Sequence, residues 1–131
     1  MPIYSKVYTI PKNSEKKFKL QIEGDYITKV RIRFPPGPQG LLKVAVFYGL
    51  EPLFPCETDT YFVGEDEVIE WEEYWQLPET PCELTILAEN QDDTYDHSVY
   101  IVIVTRWAKQ TLDYRIADRV AGFLRYIFGR R

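Results

Sequence analysis

The densest set of metal-ligating and proton-carrying side chains in this sequence is Glu89 to His97, ENQDDTYDH, which holds four carboxylates, Asn90 and the only histidine. Clustered oxygens suit calcium, and Asp92, Asp93 and Asp96 are the candidate ligands. Their spacing departs from the EF-hand, which requires Asp-x-Asp-x-Asp-Gly and a later Glu. An Asp-rich turn whose side chains cap their own backbone explains the same residues and is the expectation, with calcium as the alternative. His97 directly precedes a strand-like run, where a hydrogen bond to loop backbone is expected rather than the work of a base.

Glu70, Glu72 and Glu73 raise the question of a glycosidase, but a catalytic carboxylate pair must flank a cleft from separate elements. Neighbouring positions on one strand read as an ion-paired stripe. Cys56 and Cys82 have no CxxC partner, and one histidine does not complete a zinc set with them. Free, buried thiols are expected, with a disulfide as the alternative. Trp71, Trp75, Tyr61 and Tyr74 are the aromatic side chains from which a calcium-assisted carbohydrate-binding module would build a stacking platform. Trp71 and Trp75 share an inward face, however, so core packing is the expectation. No catalytic motif is found, so no catalytic residue and no cofactor are assigned, and a non-enzyme is expected.

The elements that must carry these residues are strands. The run Ser98 to Trp107, SVYIVIVTRW, contains six β-branched residues and is apolar on both faces, so something beyond a two-sheet core must cover its second face. Phe18, Leu20 and Ile22 alternate with Lys17, Lys19 and Gln21. Tyr26, Thr28, Val30, Ile32 and Phe34 are predicted inward, with Lys29, Arg31 and Arg33 outward. Gly24-Asp25 between these two runs predicts a hairpin. Val7 to Ile10 predicts a short first strand, and Leu41 to Tyr48 a mostly buried one. Pro52 and Pro55 allow at most an edge strand after Gly49. In Val68 to Leu77, Ile69, Trp71, Glu73 and Trp75 share the inward face, and Glu70 and Glu72 the outward one, matching the basic stripe in type and spacing. Cys82, Leu84, Ile86 and Ala88 alternate with Glu83, Thr85 and Glu89. Short strands separated by Pro and Gly loops predict a mainly β fold, an antiparallel β-sandwich of jelly-roll-like form over residues 1–109.

From Thr111 the period changes. Leu112, Ile116, Val120, Phe123 and Ile127 form one helical stripe, opposite Arg115, Asp118, Arg119 and Arg125, which predicts a C-terminal amphipathic α-helix over 110–131. It has three readings: packing on its own sandwich, packing on another subunit, or peripheral contact with a membrane.

At 131 residues, 45% hydrophobic and 15% aromatic, the chain is one domain that buries about two-thirds of its unfolded surface. No apolar run approaches the length of a transmembrane segment, and the N-terminal residues lack the pattern of a cleaved signal, so a soluble protein is expected. Few Asn, one Met and many charged residues lean towards a thermophilic source. The net charge of -4 conceals a segregation: residues 1–50 carry nine Lys or Arg against three acidic residues, 51–100 carry fifteen acidic and no Lys or Arg, and 101–131 seven basic against two acidic. Either basic and acidic strands pair within one sheet, or the folded subunit has basic and acidic sides that attract copies of itself. Nucleic acid is disfavoured, because the basic stripe lacks interleaved exposed aromatics and the chain is acidic.

Three pieces together, Phe34-Pro35-Pro36-Gly37-Pro38-Gln39-Gly40 with Phe47-Tyr48-Gly49, Gly64-Glu65-Asp66-Glu67 with Glu73-Tyr74, and Asn90-x-Asp92-Asp93-Thr94-Tyr95-x-His97, resemble a small β-sandwich domain in structural proteins of phages and archaeal viruses. The resemblance spans Ile22 to Trp107 and leaves the tail outside. It implies a virion or virus-encoded component, in the virion or in the host cytoplasm before assembly, with copies of itself or other virion proteins as partners. The expectation is a self-assembling homo-oligomer, with Lys29, Arg31, Arg33, Glu70, Glu72 and the tail stripe as assembly residues.

Overall fold

Period-two alternation becomes eight strands in the computed structural model, which describes residues 2–108. They are β1 (Ile3–Ile10), β2 (Ser14–Ile22), β3 (Tyr26–Phe34), β4 (Leu42–Tyr48), β5 (Glu51–Phe54), β6 (Glu67–Gln76), β7 (Cys82–Asn90) and β8 (His97–Arg106). They form two four-stranded sheets, with orders β1-β8-β3-β6 and β2-β7-β4-β5. All pairings are antiparallel. The chain is wound as a folded-over ribbon. Its partners are nested, β1 with β8, β2 with β7, β3 with β6 and β4 with β5, and successive pairs lie in alternate sheets.

The sheets close on each other through their alternate residues. Ile22, Val30, Ile32, Phe34, Ile86 and Ile101 are fully buried between them, each contributing about 1.5–3 kcal/mol of transfer free energy. Trp71 packs against Phe54 and Phe62 at ring-centroid distances of 5.7 and 5.2 Å, and Trp75 against Tyr48 at 5.9 Å. Both tryptophans thus close the β5/β6 side of the core, as their inward register predicts.

Several expectations are corrected. The hairpin at Gly24-Asp25 does not form: Ile22 pairs with Cys82 in one sheet, while Tyr26 pairs with Gln76 and Arg106 in the other. The turn is a crossing between sheets, anchored by Asp25 N–H donating to Arg106 O at 2.9 Å and Leu77 N–H to Asp25 O at 2.8 Å. Gly24 sits at φ +140, with Thr105 where a Cβ would be, so the crossing demands glycine. A register shift between Ile27 and Lys29 turns Ile27, rather than Tyr26 or Thr28, into the core. Tyr26 instead rests on Tyr74 at 4.7 Å. β1 begins at Ile3 rather than Val7. Cys82 is buried as expected, but Cys56 is exposed, and both are free thiols. The predicted helix, with Leu112, Ile116, Val120, Phe123 and Ile127, lies outside the described residues.

Candidate functional site

The charged stripe forms on the outer face of the first sheet. Antiparallel pairing of β3 with β6 sets Lys29 opposite Glu72 and Arg31 opposite Glu70. The Lys29 ammonium reaches diagonally to Glu70 Oε1 at 2.8 Å, and this hydrogen bond holds the Glu70 carboxyl below its usual range. Arg33 reaches Asp66 Oδ1 at 3.4 Å. The stripe is therefore a cross-strand ladder within the chain, the first of the two readings of the charge pattern. Both members of the Lys29–Glu70 pair are about half exposed, so it adds little stability.

Beside the ladder, the outer face of β1 and β8 is apolar. Ile3 lies opposite Val104 and Val7 opposite Tyr100; Ile3, Val7 and Tyr100 are exposed, while Val102 and Val104 are half-buried. The second face of β8 is thus uncovered among the described residues.

The same topology sorts charge laterally. β1 and β2 are the edges on one side of the sandwich, and β6 and β5 those on the other. Exposed Lys6, Lys12, Lys16, Lys17 and Lys19 gather on the first side, with Glu15 among them. Glu51, Glu67, Glu70, Glu72 and Glu73 lie along the second, and Glu57 and Asp59 in the connection between its strands. Of the five lysines, Lys19 alone has a carboxylate partner among the described residues, Glu83 at 3.6 Å.

Residues 91–96 form a knitted turn rather than a ligand cage. Asp92 Oδ2 meets His97 Nε2 at 2.7 Å in a buried pair, and Asp92 Oδ1 accepts from Thr94 N–H at 2.8 Å and Tyr95 N–H at 3.4 Å. Asp93 Oδ1 accepts from Thr94 Oγ1 at 2.9 Å, and Asp96 Oδ1 from Lys12 N–H at 2.8 Å. The three carboxylates serve three different sets of partners, and the described residues contain no group of His, Cys, Asp and Glu placed to hold a metal. His97 bonds a carboxylate, not loop backbone as the sequence suggests. The hydrogen bond from His97 holds the Asp92 carboxyl low, helped by the Thr94 N–H.

Asn90 was not singled out by the sequence beyond its place in the loop. It is buried, donates from Nδ2 to Ile10 O at 3.1 Å and Tyr95 O at 3.0 Å, and accepts Asp92 N–H at 3.0 Å. Its signal was its position, at the end of a strand and two residues before an Asp, where an Asx turn forms.

No family model matches the sequence, and no curated protein matches it. Solved structures similar to this chain include the Yersinia pseudotuberculosis-derived mitogen YPM, at 9% identity and a TM-score of 0.46 over 80% of this chain and 86% of that one. Another is PirA, at 15% identity and a TM-score of 0.45 over 77% and 94% of the two chains. A third is PliG of Aeromonas hydrophila, a periplasmic lysozyme inhibitor of g-type lysozyme, at 8% identity and a TM-score of 0.41 over 77% and 83%. The chain is a mainly β protein of two antiparallel sheets, and its function rests on its own surfaces.

Proposed function

We propose that this protein is a non-enzymatic, self-assembling structural protein, a virion or virus-encoded component of the kind its sequence resembles, built on the jelly-roll path that the nested strand pairs describe. The observation that carries this reading is the lateral sorting of charge, with lysines on the β1/β2 side, of which Lys19 alone has a carboxylate partner among the described residues, and carboxylates on the β5/β6 side. Opposite sides of one subunit attract copies of it in heterologous contacts, which close into rings or continue as filaments. The apolar outer face of β1 and β8, uncovered among the described residues, is a second surface that supports an assembling subunit. Against the carbohydrate-binding alternative, Trp71 and Trp75 are half-buried and rest on aromatic neighbours of the core, while Tyr74 of the same set is exposed. Light scattering at low and high salt tests the proposal. An oligomer that loosens with salt is expected, because exposed charges are screened. A 15.5 kDa monomer under both conditions overturns it.

A further inference from the structure

We infer that assembly proceeds by edge pairing, β1 of one copy lying antiparallel beside β6 of the next and continuing the first sheet across the contact. The inference rests on the self-assembly reading and deepens it by naming the surfaces, the partner and the register.

The first sheet has four antiparallel strands, so its two edges run in opposite directions. A copy placed beside it in the same orientation therefore brings β1 to β6 antiparallel. Both edges are long, eight residues in β1 and ten in β6, and neither pairs on its outer side among the described residues. Such edges are templates for another chain unless they are blunted. The second sheet is blunted at one edge, since β5 has four residues, includes Pro52 and ends before Pro55. Proline lacks the N–H a ladder needs, which leaves the first sheet as the layer able to propagate.

The inward-facing positions supply the specificity. On β1, exposed Lys6 stands between half-buried Tyr4 and Tyr8. On β6, Glu73 stands between half-buried Trp71 and Trp75. An inward-pointing charge on an edge strand blocks indiscriminate pairing. β1 against β1 aligns lysine with lysine, and β6 against β6 aligns glutamate with glutamate. β1 against β6 joins opposites, a case of repulsion and attraction used together. With Lys6 opposite Glu73, the antiparallel register sets Tyr4 opposite Trp75 and Tyr8 opposite Trp71. Two aromatic cross-strand pairs then flank the ion pair, and such pairs stabilise sheets. On the outer face the same register sets Ser5 opposite Tyr74, Val7 opposite Glu72 and Thr9 opposite Glu70, with no like charges opposed. Lys6 has no carboxylate partner among the described residues. Glu73 accepts Trp71 Nε1–H at 2.9 Å and Tyr74 N–H at 3.2 Å, and its carboxylate has acceptor capacity left for an ammonium.

Sedimentation velocity on the full chain and on the charge-reversed variants Lys6→Glu and Glu73→Lys tests the inference. Each variant alone is expected to lose the wild-type oligomer and sediment as a monomer. An equimolar mixture of the two is expected to recover it, because every contact between unlike variants again joins opposite charges; the double variant recovers it for the same reason. Glu73→Gln keeps an acceptor for Trp71 and removes the charge, so its dissociation at unchanged circular dichroism provides the same reading should Glu73→Lys fold poorly. Single variants that keep the wild-type oligomer overturn the edge pairing and leave self-assembly standing. A mixture that stays monomeric also overturns it. A wild-type monomer overturns both.

Discussion

Asn90 is a buried polar side chain on which three backbone groups of the described fold depend. The carboxamide ties the end of β1 through Ile10 O, the turn through Tyr95 O, and the start of the turn through Asp92 N–H, all at 3.0–3.1 Å. Asn90→Ala removes three hydrogen bonds and orphans their partners at a site only 1% exposed. At roughly 1 kcal/mol each, the loss is about 3 kcal/mol. With a urea m-value near 2 kcal/mol/M, the midpoint falls by about 1.5 M with the slope unchanged. Asn90→Asp distinguishes hydrogen bonding from volume. It keeps an acceptor for Asp92 N–H but turns a second oxygen towards two carbonyls, so only its protonated form retains a donor. Its folded pKa is therefore raised, the folded state binds more protons, and stability falls as pH rises through the carboxylate range. Asn90→Ala shows no such added slope. A midpoint shift below about 0.3 M for Asn90→Ala, or a pH profile of Asn90→Asp parallel to wild type, refutes the assignment.

Three further outcomes follow from the same geometry. Because Asp92 is held low by His97 and the Thr94 N–H, its contribution is full above the unfolded carboxylate pKa and is lost as pH falls through the lowered folded value; Asp92→Asn should flatten that acid limb in thermal melts, and an unchanged limb argues against it. Gly24→Ala places a Cβ 2.9 Å from Thr105 at φ +140 and should cost about 2–3 kcal/mol in urea unfolding, whereas a neutral result means that the crossing between sheets relaxes. Exposed Cys56 should react with a thiol reagent in the native protein and Cys82, which is buried and whose thiol pKa is raised by that burial, only on unfolding; two native thiols reacting at equal rates would contradict the placement of Cys82.

What was legible in the chain was whatever repeats every second residue against a buried layer. Leu20 and Ile22, Trp71 and Trp75, and Leu84, Ile86 and Ala88 point inward as their alternation predicts. The match of Lys29 and Arg31 with Glu70 and Glu72 was readable because an antiparallel ladder places partners at equal spacing. Pairing between the other distant segments, which carry no such charge match, was not. Nothing near Gly24 indicates that Ile22 partners Cys82, and a glycine followed by an aspartate serves a sheet crossing as well as a hairpin. The register shift at Ile27 was hidden because Tyr, Ile and Thr all suit a strand. β1 escaped at its start because an edge strand with an exposed face carries Ile3 and Val7 where a polar residue would mark the alternation. The partner of His97 was hidden by the turn that carries Asp92 back beneath it.

The nested ribbon has a consequence for the order in which the chain folds. Its innermost pair, β4 with β5, joins neighbours in the chain, whereas Thr9 meets Ser98 across 89 residues. Loop closure favours the inner pairs first and the outermost last. During synthesis at about 5–20 residues per second, β1 waits on the order of ten seconds for its partner to be made. Tyr4 and Tyr8 are without their sheet throughout that interval. The edge that β1 presents exists only once β8 is in place, so the synthesis of β8 times when any contact proposed through that edge can form.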